Sequence, residues 1–162
     1  MRSFFILVAG LVMGAAIQSA IAQSGNRGIS HMNHVGIVVP DIHAAVEYYT
    51  ETLGFTEAFR AVNDQGEPRL VYIQVSERSF IELNNGNGRD PGIGHLGIQV
   101  EDMQAATAMF RNAGADVSEI RDSSTGAILA NITDLNGIRI ELAQLPPESD
   151  HYKAMMRWAE TH

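Results

Sequence analysis

The sequence has no cysteine and only one lysine, Lys153, among its 11 basic residues. Without cysteine the chain can form neither structural disulfides nor a metal site with thiolate ligands. The basic residues form no cluster and the net charge is −8, so we exclude nucleic-acid binding, which needs clustered Lys and Arg against phosphates. Because no disulfide can form, the fold must be stabilised by packing, together with a metal or a partner subunit where one is bound.

Long hydrophobic runs are also missing, apart from a short one near the start. Arg2 precedes an apolar stretch from Phe4 to Ile17, and Ala20 and Ala22 follow in an A-x-A arrangement. The run is shorter than the roughly 20 residues of a membrane-spanning helix. We therefore predict a signal peptide at 1–22 and a periplasmic or secreted protein with no membrane contact after cleavage. An uncleaved anchor is the alternative.

The remaining length, about 140 residues, suits one domain with its own core. Residues 23–30 are rich in Gly, Ser and Asn, which predicts a flexible mature N-terminus. The domain is predicted at 31–145, followed by a helical extension at 146–162. The extension has an apolar stripe that we expect to pack on a sheet edge or a dimer surface, formed by Tyr152, Met155, Met156 and Ala159.

Residues 31–84 read as a βαβββ unit. Asp41 suits a helix N-cap and Gly54 a helix end. The first strand and the helix are predicted at Asn33–Val39 and Ile42–Thr52, and the three later strands at Phe55–Val62, Arg69–Val75 and Ser79–Leu83.

A repeat decides the fold. His34 to Asp41 recurs as His95 to Asp102 with five of eight positions identical, and an I-E-L sequence around Glu82 recurs around Glu141. The second unit, 94–145, has a helix ending at Gly114. Its later strands are predicted at Asp116–Ile120, Ala127–Ile132 and Ile138–Ala143. The chain is thus predicted to be α+β, with two tandem βαβββ modules forming a curled, cup-like mixed sheet around a metal site.

The repeat carries a His and a Glu in each module, which shared β-propensity does not explain. Alternation along a strand places their apolar neighbours on one face and these side chains on the other. Two carboxylates meeting without a cation would repel each other. We therefore predict one divalent metal ion (Ni, Zn, Co, Fe or Mn) with open positions for substrate. Its ligands are His34, Glu82, His95 and Glu141.

Taken singly, each of these residues is more often structural or solvated, and only the repeat makes them a set. The other histidines have no such support. His43 is predicted to lie on the surface, and His31, His151 and His162 in mobile ends.

The segments H-V-G-I-V-V-P-D, G-H-L-G-I-Q-V-E-D and D-L-N-G-I-R-I-E-L resemble the vicinal oxygen chelate superfamily over about Asn33 to Gln144. That superfamily includes glyoxalase I, methylmalonyl-CoA epimerase and extradiol dioxygenases. The His-Glu-His-Glu set resembles bacterial glyoxalase I. The resemblance implies a lyase or isomerase that moves a proton on an α-hydroxycarbonyl or hemithioacetal-like small molecule, with Glu141 as base and Glu82 as its partner.

The resemblance also implies a homodimer and leaves two alternatives: an Fe(II)-dependent extradiol-type dioxygenase, or a non-catalytic periplasmic binding protein of the same fold. Glyoxalase I binds glutathione through arginines. Four arginines are available for such a role here: Arg60, Arg69, Arg78 and Arg89.

The signal-peptide prediction is tested by expressing the full chain in a Gram-negative host and sequencing the N-terminus of the purified protein. Cleavage after Ala22 gives a protein that begins at Gln23 and is recovered from the periplasm or medium. An intact Met1 in the membrane fraction would instead support the uncleaved anchor.

Overall fold

A computed structural model of the chain describes residues 28–161, so the predicted signal peptide lies outside the described residues. Within these residues the order is one strand, a helix, four strands, a second helix, three strands and a last helix. The strands are β1 Ile29–Val39, β2 Thr56–Val62, β3 Pro68–Ser76, β4 Ser79–Asn85, β5 Gly92–Val100, β6 Arg121–Asp122, β7 Ile128–Thr133 and β8 Arg139–Gln144. The helices are α1 Ile42–Glu47, continued by a π-helical turn at Tyr48–Thr52, α2 Met103–Asn112 and α3 Asp150–Thr161.

All eight strands form one sheet in the order β2-β3-β4-β1-β5-β8-β7-β6. Strands β1 and β5 pair antiparallel at its centre, and each pairs parallel with the last strand of its own module. The β1–β5 pairing, called the seam below, therefore relates the two modules by an approximate two-fold axis. The predicted α+β class and the curled sheet of two tandem modules are confirmed.

The two module helices begin and end as the sequence predicted. The Asp41 carboxylate accepts hydrogen bonds from the backbone N–H groups of His43 and Ala44, at 2.9 and 3.0 Å. Gly54 and Gly114 follow the helices with φ of +72° and +87°, a conformation that glycine adopts without steric penalty.

The two faces of the sheet bury different elements. Ile81 and Leu83 of β4 pack with α1, and Ile140 and Leu142 of β8 belong to the cluster with α2. The alternating residues point to the opposite face, where α3 packs through Ala154 against residues of β3 and β4. Thus α3 covers the face towards which the predicted ligands point, called the site face below. No helix within residues 28–161 is long and apolar enough to cross a bilayer.

Two strand boundaries differ from the prediction. Strand β1 starts at Ile29, so residues 29–30 belong to the sheet and not to a flexible terminus. The strand predicted at Asp116–Ile120 is wrong, since only Val117 forms a bridge there, with Ile132.

Side chains explain why that strand stops. Ser118 Oγ accepts the backbone N–H of Asn131 at 2.9 Å, in the place of a ladder carbonyl. Arg111 Nη2 donates to the carbonyls of Val117 and Ser118. These bonds satisfy backbone groups that a ladder would otherwise use.

Of the stripe predicted for the C-terminal helix, only Met155 packs against the sheet. The buried residues of this helix are His151 and Ala154, whereas Tyr152 and Met156 are 36% and 48% exposed. His151 is only 2% exposed, and His31 lies in β1, so the assignment of these two histidines to mobile ends is wrong.

Two glycines at the seam allow the strands to carry histidines side by side. A Cβ added to Gly36 would overlap the imidazole of His95, and one added to Gly97 would overlap the imidazole of His34. Each module therefore supplies the glycine over which the other module's histidine lies.

We predict that Gly36→Ala and Gly97→Ala each lower the free energy of unfolding by roughly 1 to 3 kcal/mol, the range for overpacking a filled interior. Gly94→Ala in the same strand pair is the control, since its Cβ would meet Val38 Cγ2 at an ordinary 3.4 Å. That change should be neutral or slightly stabilising. Equal urea-unfolding midpoints for all three variants would contradict the prediction.

Candidate metal site

The sheet register brings the four predicted ligands into two neighbouring rows. In one row Gly36 lies between Glu82 and His95. In the next row Gly97 lies between the other two. Because the rows are two residues apart along each strand, all four side chains leave the sheet on the same face. The four residues, called the quartet below, are His34, Glu82, His95 and Glu141.

Within the quartet, one possible ligand atom from each residue lies within 4.8 Å of the others. His34 Nε2 is 3.0 Å from His95 Nε2, 3.5 Å from Glu82 Oε2 and 3.6 Å from Glu141 Oε1. Both histidines are 2% exposed and both glutamates 5%. The structure thus unites the predicted residues in one buried cluster, while their role as ligands stays a prediction.

Asn33 orients the imidazole of His34. Asn33 is fully buried, and its Nδ2 lies 3.5 Å from the carbonyl oxygen of Arg78, which can only accept. Its Oδ1 therefore faces His34 Nδ1, at 3.0 Å, and accepts a hydrogen bond from it. The lone pair of His34 Nε2 then points into the quartet. Burial is the main reason that the pKa of His34 falls to about 4, which keeps this ring neutral near pH 7.

His95 is held by an arginine. Arg139 Nη2 lies 2.6 Å from His95 Nδ1, and a guanidinium can only donate. His95 therefore carries its proton on Nε2, and donates it towards His34 Nε2. The N–H group of His95 thus points to the centre of the quartet, where His34 Nε2 and Glu82 Oε2 lie 3.0 and 2.9 Å from its nitrogen.

The two glutamates have different surroundings. Burial acts to raise the pKa of Glu82, but the imidazoles of His95 and His34 outweigh it and lower that pKa to about 2. Burial and the neighbouring Glu82 raise the pKa of Glu141. Glu141 Oε1 faces His34, while its Oε2 accepts hydrogen bonds from Arg121 and Arg139, both at 3.2 Å.

A cavity of about 290 Å³ opens beside the two glutamates. Three arginines line it: Arg69, Arg121 and Arg139. Of the four arginines that the sequence suggested, only Arg69 is there. The others bind locally: Arg60 to Glu57, Arg78 to Glu77, and Arg89 to the carbonyls of Asn85 and Gly86.

Aromatic rings of β2, β3 and β4 pack around a further histidine near the quartet. His151 of α3 lies among Phe59, Tyr72 and Phe80, with ring centroids 4.3 to 5.3 Å away, and 6.1 Å from the ring of His34. Neither nitrogen of His151 has a hydrogen-bond partner among the described residues. Burial, followed by the proximity of His34, lowers the pKa of His151 to about 3.

Comparison with known proteins agrees with this geometry. The Glyoxalase/Bleomycin resistance protein/Dioxygenase superfamily matches residues 31–142. The chain belongs to this superfamily. An ethylmalonyl-CoA/methylmalonyl-CoA epimerase of Cereibacter sphaeroides is 32% identical over 135 residues, which cover 72% of this chain and 99% of that protein. A probable lactoylglutathione lyase of a Synechocystis species is 27% identical over 72% of this chain and 97% of its own length.

A solved structure of the superfamily is also similar. Methylmalonyl-CoA epimerase from Mycobacterium tuberculosis has a TM-score of 0.67 at 26% identity, over 75% of this chain and 91% of that one. The superfamily match ends before α3, which begins at Asp150. The resemblance found in the sequence is thus confirmed at the level of family and fold.

Sequence reasoning missed four residues at the site: Asn33, Arg121, Arg139 and His151. Arg139 is two residues before Glu141 on the same strand, so alternation alone places it on the site face. Asn33 had no such signal. It contacts its own neighbour His34 because the β1–β5 register shifts between Met32 and His34, and such an irregularity turns a side chain away from plain alternation.

We predict that Asn33→Leu weakens Co²⁺ or Zn²⁺ binding by roughly tenfold to a hundredfold, because outer residues that orient a metal-binding histidine typically contribute that much. Asn33→Asp keeps an oxygen for His34 Nδ1 and should retain most of the affinity. Asn112→Leu, at an exposed position of α2, is the surface control. Competitive metal titration measures all three, and an unchanged affinity in Asn33→Leu would contradict the orienting role.

Proposed function

We propose that the protein is a divalent-metal-dependent isomerase or lyase that moves a proton at a carbon next to a carbonyl group of a small molecule. The observation that carries the proposal is the buried quartet beside a cavity. Two relatives are named as an epimerase and a probable lyase, which supports the reaction class. The substrate is an α-hydroxycarbonyl or hemithioacetal-like compound.

The residues fit a divalent cation. Two imidazoles and two carboxylates are the donor set that first-row divalent ions accept. Glu82 Oε2 is buried and has no hydrogen-bond partner among the described residues, although His95 Nε2 lies 2.9 Å away. Such a buried anionic oxygen is costly unless a cation satisfies it. A divalent ion there would supply Lewis-acid stabilisation of the charge that develops on substrate oxygens.

Residues of the chain transfer the proton and orient the base. Glu141 lies at the cavity and its pKa is raised, so it is the residue we assign as the base that takes and returns the proton. Arg121 and Arg139 bind its Oε2 and fix the orientation of the carboxylate. Glu82, at the other side of the cavity, is its partner.

Two features disfavour the alternatives. An Fe(II) oxygenase of the two-histidine type uses a single carboxylate and leaves one face of the metal open, whereas this cluster has two carboxylates. A purely non-catalytic binding protein would have no need for four buried ionisable groups at its cavity, because each costs solvation energy.

Export and assembly are further parts of the proposal. The apolar N-terminal segment supports a periplasmic or secreted enzyme that meets its substrate outside the cytoplasm. A homodimer follows from the family resemblance.

We predict that Glu141→Gln lowers turnover by roughly 10² to 10⁴-fold, the usual contribution of a general base. Glu82→Gln should lower both bound metal and turnover. The assay follows deuterium uptake from D₂O by NMR, at the carbon next to the carbonyl group, in methylmalonyl-CoA and in S-lactoylglutathione, with Ni²⁺- or Co²⁺-loaded protein. Elemental analysis measures the metal.

Glu119→Gln is the matched control, because the side chain of Glu119 is fully exposed. It should leave both quantities unchanged. Chelation should abolish exchange and re-addition of the ion should restore it. If neither quartet variant changed metal content or exchange, or if the Fe²⁺-loaded protein consumed oxygen with a catechol, the proposal would fail.

A further inference from the structure

The two modules place different residues at equivalent positions around the quartet. Counting from the glutamates, Phe80 of β4 corresponds to Arg139 of β8, since each lies two residues before its glutamate. Tyr72 pairs with Glu82 in the register, and Asn131 pairs with Glu141. One half of the site face is therefore aromatic where the other half is cationic or polar.

The polar half forms one wall of the cavity. Arg69 comes from β3 of the first module, and Arg121 and Ser124 lie in the segment before β7. Arg69 Nη2 donates to Ser124 Oγ at 2.7 Å, which connects the two modules across the cavity. Ser123 and Thr125 bring further hydroxyl groups to the same wall.

These arginines keep donors for a ligand. Within the described residues, Arg69 makes one hydrogen bond, to Ser124, and Arg121 makes one, to Glu141. Each guanidinium has five N–H donors, so most remain for a bound anion. Arg121 is about half exposed, which lets solvent or a ligand reach it.

The charge balance of the cavity points the same way. Its lining has three arginines and three carboxylates, the latter being Glu82, Asp122 and Glu141. A divalent cation at the quartet would leave two uncompensated positive charges, in a chain whose net charge is −8. The negative charge of the remaining surface repels anions, whereas a concave positive site attracts them.

We propose that Arg69, Arg121 and Ser124 form a pocket for an oxyanion of the substrate, called the oxyanion pocket below. The substrate class is thus a compact acid, with a carboxylate or phosphate group at this end and its reacting carbon beside Glu141. Only the placement of the reacting carbon beside Glu141 rests on the proposed function. The placement of the oxyanion at the arginines does not. A planar carboxylate and a phosphate both match the fork of a guanidinium.

The aromatic half restricts the orientation of such a ligand. Phe59, Tyr72, Phe80 and His151 form one cluster of rings next to the quartet, and Tyr72 of this cluster also lines the cavity. Burying an oxyanion among these rings without donors would be strongly unfavourable. The charged group must therefore face Arg69 and Arg121, and the cavity of about 290 Å³ limits the part of the ligand that it encloses.

Calorimetric titration tests the pocket with three probes: inorganic phosphate, glycolate and hydroxyacetone. Glycolate and hydroxyacetone both offer adjacent oxygens, but only glycolate is charged. We expect the two anions to bind the Co²⁺-loaded protein at least about tenfold more tightly than hydroxyacetone. Arg69→Gln and Arg121→Gln should each weaken anion binding by about tenfold, equivalent to the loss of one charge-assisted contact, and leave hydroxyacetone unaffected.

Arg60→Gln is the matched control, because Arg60 binds Glu57 outside the cavity. It should bind all three probes as the unmodified protein does. Thermal unfolding without ligand checks that the variants fold, as expected for these exposed side chains. Equal anion affinity in Arg69→Gln, Arg121→Gln and Arg60→Gln would overturn the pocket.

A second arm uses protein treated with EDTA and separates the pocket from the proposed reaction. Without metal, anion binding should weaken but still depend on Arg69 and Arg121. If that dependence holds while the protein neither binds metal nor exchanges deuterium, the pocket stands and the proposed function fails. If metal-dependent exchange occurs while anions bind no better than hydroxyacetone, the function stands and the pocket fails.

Discussion

The close approach of two strands at the seam is the constraint on which the rest of the structure depends. Each imidazole of the quartet lies over a glycine of the opposite strand, and this brings His34 Nε2 within 3.0 Å of His95 Nε2. The parallel neighbours of the same strands then add Glu82 and Glu141 from either side. A concentration of ionisable groups in a buried position follows from backbone register, without any long loop to position them.

The two modules differ in the side chains that surround the quartet. A symmetric frame holds the quartet, but its surroundings are aromatic in the first module and rich in arginine in the second. The difference gives the glutamates separate surroundings, since Glu141 accepts hydrogen bonds from two arginines and Glu82 does not. Duplication supplies the geometry of the cluster, and divergence around it supplies the chemistry.

The repeated segments made most of the fold predictable, because a His and a Glu recurring in matched strands cannot be explained by propensity. Alternation then placed these four side chains on one face, as the structure has them. Other features depended on contacts that are distant in sequence. His151 is adjacent to His34 only because α3 returns across the sheet, and its polar sequence looks like that of a mobile end.

Local patterns were also misleading where side chains replace backbone partners. The segment Asp116–Ile120 has the composition of a strand, yet Ser118 and Arg111 take over the bonds that a ladder needs. The arginines show the opposite case. Arg139 could have been found from its spacing to Glu141, whereas Arg121 lies in a two-residue strand whose position no periodicity reveals.

The glycines of the seam make the evolution of each module depend on the other. A side chain at position 36 would displace a histidine that belongs to the other half of the gene, and the same holds in reverse for position 97. After duplication, neither half could drift at these places without a compensating change in its twin. Among descendants of such a gene, a glycine and the histidine opposite should be kept or lost as a pair, even where the surrounding strands have become unrecognisable.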